Sequence, residues 1–111
     1  MPTTPNLEAL AKLAVSKHGG KLIKNRVGYD RTLQRRFGEP GSPDLIGDLW
    51  GRPHYVEVKG PRDRLHEHQR RWLDAAAKRG ALAGALHSVE AYEQWLAAGP
   101  HEPTGEVIVW R

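Results

Sequence analysis

The chain of 111 residues contains no cysteine, which excludes disulfide bonds and thiolate-bound metals and fits a reducing compartment. No stretch approaches the roughly 20 apolar residues of a membrane span, so we expect no membrane contact. The N-terminus also lacks the basic and apolar regions of a signal peptide. These absences predict a cytoplasmic protein. The length fits one domain, residues 1–111, with a modest core.

Several catalytic and metal-binding patterns are also missing. There is no Gly-rich phosphate loop, and no Ser-His-Asp set follows from the spacing. His66 and His68 stand at i and i+2, whereas two zinc ligands on one helix face need i and i+4. His54, His87 and His101 show no partner spacing either. We therefore expect no zinc site.

Basic residues outnumber acidic ones by 17 to 13, and they are clustered. The segment from Lys24 to Phe37 contains a single acid, Asp30, and Gly28, Gly38, Pro40 and Gly41 predict that it ends in a loop. Such a loop is often only solvated surface. Because this one leads into an acidic stretch, we expect it to contact phosphates. Its basic residues are Lys24, Arg26, Arg31, Arg35 and Arg36.

The apolar periodicity and the turn residues predict helices alternating with strands. The predicted order is helix, three strands, helix, strand and helix, with an additional C-terminal strand. This order indicates an α/β fold with a mixed central sheet flanked by helices. In chain order the segments are a helix from Thr3 or Thr4 to Gly19-Gly20, strands 21–27, 44–50 and 54–59, a helix over 65–79, a strand over 81–87, a helix capped by Ser88, and a strand over 106–110.

The second and third strands form a predicted hairpin that brings acidic residues together. A loop centred on Gly51-Arg52 sets Asp44 opposite Lys59, with Glu57 a diagonal neighbour on the same face, its Cβ roughly 7 Å from that of Asp44. One divalent metal can bridge two carboxylates at this separation. The alternative is an ordinary cross-strand ion pair between Asp44 and Lys59, with Glu57 facing solvent. Spacing alone leaves both interpretations open.

At these residues the chain resembles a known family. Pro43-Asp44, followed by Glu57-Val58-Lys59, resembles the signature of the PD-(D/E)XK nuclease superfamily. The wider pattern resembles its VRR-NUC branch over residues 7–96, which leaves residues 100–111 as a tail with the additional strand. The features that carry this resemblance are Glu8, Gly19-Gly20, Gly41-Ser42-Pro43-Asp44, Glu57-Val58-Lys59, and Gln69 with Trp72.

The resemblance implies a restriction-endonuclease-like core with a site for Mg²⁺ or Mn²⁺, hard ions that prefer oxygen donors. Asp44, Glu57 and the backbone carbonyl of Val58 are the implied ligands, and Glu8 reaches the same site from the first helix. Lys59 orients or helps to deprotonate the attacking water. Gln69 positions Lys59 or that water. The residues expected to contact DNA phosphates are Lys24, Arg26, Arg35 and Arg36.

The expected activity is metal-dependent hydrolysis of DNA phosphodiester bonds, selective for branched DNA as in a Holliday-junction resolvase. One alternative is a non-catalytic DNA-binding or scaffolding module that retains the nuclease fold. Another is a hydrolase of small phosphate esters, which the open basic loop disfavours. Because one small protomer has one site, cutting two strands predicts a homodimer, with the tail from Val107 to Trp110 as a candidate interface. The resemblance places the protein in the cytoplasm of a bacterial or phage-infected cell.

Overall fold

The computed structural model describes residues 4–26 and 28–111, without the side chains of residues 4, 5, 29, 36 and 37. Within this part of the chain, three α-helices alternate with seven β-strands. The helices are α1 (Thr4–Ser16), α2 (Glu67–Lys78) and α3 (Val89–Ala97). The strands are β1 (Lys21–Lys24), β2 (Gly28–Asp30), β3 (Arg35–Phe37), β4 (Leu45–Leu49), β5 (Arg52–Val58), β6 (Leu82–Leu86) and β7 (Ile108–Trp110).

The predicted α/β fold with a mixed sheet flanked by helices is confirmed. Five strands form one sheet in the order β1-β4-β5-β6-β7, antiparallel in its first half and parallel in its second. Apolar side chains of α1 and α3 pack in one core cluster with Val56 and Val58 of β5. Those of α2 pack in a second cluster with Ala83 of β6. Within residues 4–26 and 28–111, no helix has the length and apolar character needed to cross a bilayer.

The helices begin and end where the sequence chemistry predicts, within a few residues. The chain leaves α1 through Gly19, whose positive φ of 80° suits glycine, and Gly20 donates its N–H to the carbonyl of Val15. Ser88 caps α3, because its hydroxyl accepts the N–H of Ala91. The predicted capping role of Thr3 lies outside the described residues.

The predicted register of the β4–β5 hairpin is wrong by two residues. The turn consists of Trp50 and Gly51, both with positive φ (53° and 75°), as in a type I′ turn. Leu45 pairs with Val56, so Asp44 lies opposite Glu57 rather than Lys59. A shift of two keeps every side chain on its predicted face, because side chains alternate with a period of two.

The turn lies one residue earlier than predicted, because Trp50 adopts the left-handed conformation that glycine or asparagine usually takes in such a turn. The indole of Trp50 packs against Trp95 and the backbone of Gly99, which leaves no room for a Cβ there. Pro53 then stands opposite Asp48, one pair beyond the closing pair of the turn, where the antiparallel ladder needs no N–H.

The basic segment after β1, predicted as a loop, contains a short antiparallel ribbon instead. Strands β2 and β3 pair with each other and form a sheet separate from the five-stranded one. Three-residue strands carry too little alternation to be detected from the sequence. Val27, at the end of the predicted first strand, lies outside the described residues.

An aromatic core surrounds a buried histidine at the hairpin end of the sheet. The carbonyl of Leu82 can only accept, so His54 donates Nδ1–H to it at 2.7 Å, and Nε2 accepts from the Tyr92 hydroxyl at 2.7 Å. Burial lowers the pKa of His54 to about 4, so the ring is neutral at physiological pH. Trp110 is buried against the same rings, and of the tail predicted as an interface only Val109 is exposed.

Candidate active site

Two carboxyl groups face each other where β4 begins and β5 ends. Asp44 precedes β4 and lies opposite Glu57 in the extended register, a position at which cross-strand Cα atoms approach to about 4.5 Å. Their side chains share a hydrogen bond. Asp44 Oδ2 also accepts the backbone N–H of Val58 at 2.9 Å. The cross-strand ion pair between Asp44 and Lys59, with Glu57 in solvent, is therefore not formed.

Glu57 is only 4% exposed, and its environment favours the protonated form. Burial raises the pKa of Glu57 to about 9, with further contributions from the hydrogen bond to Asp44 and from its negative charge. Lys59 and Lys24 oppose this rise only in part. Glu57 consequently holds a proton at neutral pH, which is the usual result for a desolvated carboxyl group beside another acidic side chain.

The site offers the oxygen donors that a hard divalent cation takes. Two adjacent carboxyl groups, one of them buried and protonated, repel each other once that proton is lost. A divalent cation that replaces the proton removes this repulsion. In an extended residue the N–H and C=O point the same way, so the Val58 carbonyl faces the side of Asp44. Among the described residues, no cluster of three or more His, Asp or Glu side chains is present, so the donors are two carboxylates and this carbonyl.

Lys59 lies two residues beyond Glu57 on the same face of the strand. Its backbone N–H bonds to the carbonyl of Leu86 at 2.8 Å, which continues the pairing of β5 with β6 past the last residue of the strand. Its positive charge lowers the pKa of Glu57. The predicted grouping of Asp44, Glu57 and Lys59 is thus present in the structure.

Lys24 and Glu8 form the flank of the site nearest α1. Lys24 Nζ lies 2.7 Å from Glu8 Oε1, and this hydrogen bond is the main reason that the pKa of Lys24 is raised. The charges of Asp44 and Glu57 add to the rise, which places Lys24 within their electrostatic reach. Glu8 therefore contacts the site through Lys24. Lys24, predicted to hold DNA phosphates, pairs with Glu8 while its side chain stays 49% exposed.

Gln69 serves first as part of a helix cap. Its Oε1 accepts the backbone N–H of His66 at 2.9 Å and so satisfies a donor at the start of α2. This leaves the amide nitrogen of Gln69 for another partner. The contact with Lys59 that the sequence analysis expects does not occur among the described hydrogen bonds of Gln69.

The loop that carries Asp44 is held from two sides. Asn25 donates its backbone N–H to the Asp44 carbonyl, and its amide donates to Ser42 Oγ and the Pro43 carbonyl, all at 2.8 Å. On the other side, Gly41 has a φ of 81° and packs so closely that a Cβ would lie 2.8 Å from the His68 carbonyl oxygen. Asp44 is thus fixed between β1 and α2.

Exposed basic residues lie on both sides of this site. Arg26 and Arg35 are exposed as predicted, whereas the side chain of Arg36 lies outside the described part of the chain. A second exposed group, not predicted from the sequence, consists of Arg62 and Arg64 between Lys59 and α2 and Arg70 in the first turn of α2. Residues 61–71 read PRDRLHEHQRR and so contain this basic group. The apolar periodicity from Leu65 onwards predicted a helix there, and the basic residues were not considered as a surface.

The comparisons with known proteins agree with this geometry. A family model of the VRR-NUC domain matches residues 3–90. The chain therefore belongs to the VRR-NUC domain family, whose members are nuclease-type domains that process DNA. A solved structure described as a VRR-NUC domain superposes with a TM-score of 0.66 at 24% identity, covering 87% of this chain and 97% of that chain, and supports the fold. No curated protein sequence matches the chain.

The protonation of Glu57 predicts how stability depends on pH without metal. Because the folded state holds a proton up to pH 9 that the unfolded state releases near pH 4.5, the free energy of unfolding should fall as pH rises between these values. The slope approaches about 1.4 kcal/mol per pH unit if no other group titrates. Glu57→Gln should remove this slope in EDTA and raise stability at pH 8 by up to about 5 kcal/mol, which is the slope taken over the roughly 3.5 pH units between 4.5 and 8.

Urea titrations between pH 5 and pH 9 measure this directly. Glu93→Gln, which neutralises an exposed glutamate of α3, is the matched control and should keep the wild-type slope. If Glu57→Gln and the wild type lose stability in parallel as pH rises, Glu57 is not the protonated group.

Proposed function

We propose that this protein is a metal-dependent endonuclease that hydrolyses DNA phosphodiester bonds and selects branched DNA. The observation that carries the proposal is the buried, protonated carboxyl group of Glu57, hydrogen-bonded to Asp44 and beside Lys59. An ion pair with a structural role joins opposite charges and so neutralises them. Asp44 and Glu57 instead bring two acidic groups together, which is the arrangement that a cation-binding active site needs. Membership of the VRR-NUC family supplies the nuclease class and DNA as the substrate class.

Each residue of the site has a role that follows from its position. Asp44, Glu57 and the Val58 carbonyl would hold Mg²⁺ or Mn²⁺, which would polarise the phosphate and lower the pKa of bound water. The Lys59 ammonium would offset the negative charge that develops on the phosphate oxygens, and it would orient the attacking water. Glu8 and Lys24 set the charge on the opposite flank.

Two exposed basic groups would hold the DNA backbone across the site. Arg26 and Arg35 lie on the ribbon side, and Arg62 and Arg64 lie on the side that leads to α2. Contacts of this kind give affinity that is independent of sequence and falls with salt. We keep Arg36 as a further candidate on the ribbon, and Lys24 as a residue that reaches phosphate only after it leaves Glu8.

The alternatives explain less of the structure. A scaffolding module has no use for a buried carboxyl pair that costs folding stability, so natural drift would replace Glu57 with glutamine or an apolar residue. A hydrolase of small phosphate esters needs a closed pocket, whereas Arg26, Arg62 and Arg64 are open to solvent on either side of the site.

Cleavage assays test the proposal. Purified protein is incubated with flap, junction, linear and single-stranded DNA in Mg²⁺, Mn²⁺ or EDTA. We expect cleavage with metal and none in EDTA, and Lys59→Ala should lower the rate by about 100-fold or more, because one charged contact to the transition state is lost.

The control is Lys78→Ala, which removes an exposed lysine paired with Asp74 in the last turn of α2, and it should cut at the wild-type rate. Cleavage that persists in EDTA, or that Lys59→Ala and Lys78→Ala support equally, contradicts the proposal. DNA binding without cleavage under every condition favours the scaffolding module.

We also propose that the protein acts as a homodimer, since two cuts at a junction need two sites related by a two-fold axis. Two exposed apolar side chains are available for an interface, Ile23 of β1 and Val109 of β7. Sedimentation equilibrium at the concentration of the cleavage assay should give twice the 12.4 kDa mass of the chain. A monomer under those conditions contradicts this part of the proposal.

A further inference from the structure

We propose that the β2–β3 ribbon reads the branch in the DNA, with Leu33 at its tip inserting as an apolar wedge into an unstacked base step. This inference rests on the proposed function and adds the element that makes it selective for branched DNA. It uses residues 26–41, which the metal site leaves without a role except for phosphate contacts.

The base of the ribbon is joined to the loop that carries Asp44. Asn25, where the segment leaves the main sheet, is hydrogen-bonded to Ser42, Pro43 and Asp44, where the chain returns to it. The intervening residues form their own two-stranded sheet. A two-stranded ribbon whose base is closed beside the metal ligands will meet any DNA whose backbone enters the site.

The charge of the ribbon suits a nucleic acid. Arg26, Arg31 and Arg35 are exposed along it. The one acid between Gly28 and Phe37, Asp30, accepts the N–H of Leu33 through Oδ1 at 2.9 Å, so this carboxylate shapes the turn at the tip. A positively charged ribbon of this width can enter a groove of a duplex.

The tip carries an apolar side chain without apolar cover. Leu33 is 59% exposed in the four-residue turn from Arg31 to Gln34. The turn is defined by the hydrogen bond that Leu33 donates to Asp30 and by the positive φ of Gln34 (53°). Leucine is one of the residues that DNA-bending proteins insert between base steps. Insertion costs least where bases are already unpaired, so such a wedge favours a branch over a continuous duplex.

The length of the ribbon limits where the cut falls. Leu33 is eight residues from Asn25, which allows at most about 27 Å between the tip and the site. At about 3.4 Å per nucleotide along one strand, the scissile phosphate should lie within roughly eight nucleotides of the branch.

Fluorescence of 2-aminopurine, placed at the branch of a flap or junction, tests the wedge. The protein is added in EDTA, so that unstacking is measured without cleavage. We expect the wild type to raise the fluorescence severalfold and Leu33→Ser to abolish the rise. The ratio of affinities for branched over linear DNA should fall about tenfold in Leu33→Ser, since one base contact of this kind is lost.

Leu13→Ser is the matched control, because Leu13 is equally exposed (60%) but lies on α1, and it should behave as the wild type. Leu33→Phe, which keeps an apolar wedge, should retain the fluorescence rise. An equal rise with Leu33→Ser overturns the proposal, and so does a change of sedimentation in Leu33→Ser, which would assign Leu33 to an interface between copies of the chain.

The outcome is separable from that of the proposed function. If the wild type cuts DNA but never raises the fluorescence, the wedge is wrong and the nuclease stands. If it raises the fluorescence but never cuts with Mg²⁺ or Mn²⁺, the wedge stands and the catalytic proposal fails.

Discussion

The hydrogen-bonded contact between the carboxyl groups of Asp44 and Glu57 is the constraint on which the rest of the site depends. Glu57 belongs to β5, which lies between β4 and β6, so the sheet itself removes this carboxyl from water. Two carboxyl groups in such a place hold a proton, a cation or a lysine. Lys59 and Lys24 lie close enough to affect Glu57 but do not neutralise it. The strand pairing alone therefore brings the two carboxyl groups together.

The register that creates this contact is set at the far end of the hairpin. Trp50 adopts a left-handed conformation because its ring is held against Trp95, and this moves the turn by one residue relative to a Gly51-Arg52 loop. The same aromatic region contains His54, neutral and bonded on both nitrogens. The aromatic core at one end of β5 thus sets the register of the hairpin, and the register sets Glu57 opposite Asp44 at the other end. The same strand therefore contributes to the stability of the fold and to the geometry of the site.

Local chemistry in the sequence was sufficient to predict the helices, most strands of the main sheet and the grouping of Asp44, Glu57 and Lys59. Alternation preserves the face of each side chain, so these residues came together although the predicted register was wrong. The details that failed depend on contacts distant in sequence. No local pattern indicates that Trp50 takes a glycine position, that Lys24 pairs with Glu8, or that Gln69 caps α2. The ribbon was missed because its strands have three residues each.

The most direct test of the account counts the protons that metal binding releases. Calorimetric titration of Mn²⁺ at pH 7, repeated in buffers of different ionisation enthalpy, gives this number. Because Glu57 keeps its proton up to about pH 9, binding of the ion should release about one proton, and Glu57→Gln should release none and bind more weakly. Binding by the wild type without proton release would contradict the central claim that a metal displaces the proton of Glu57.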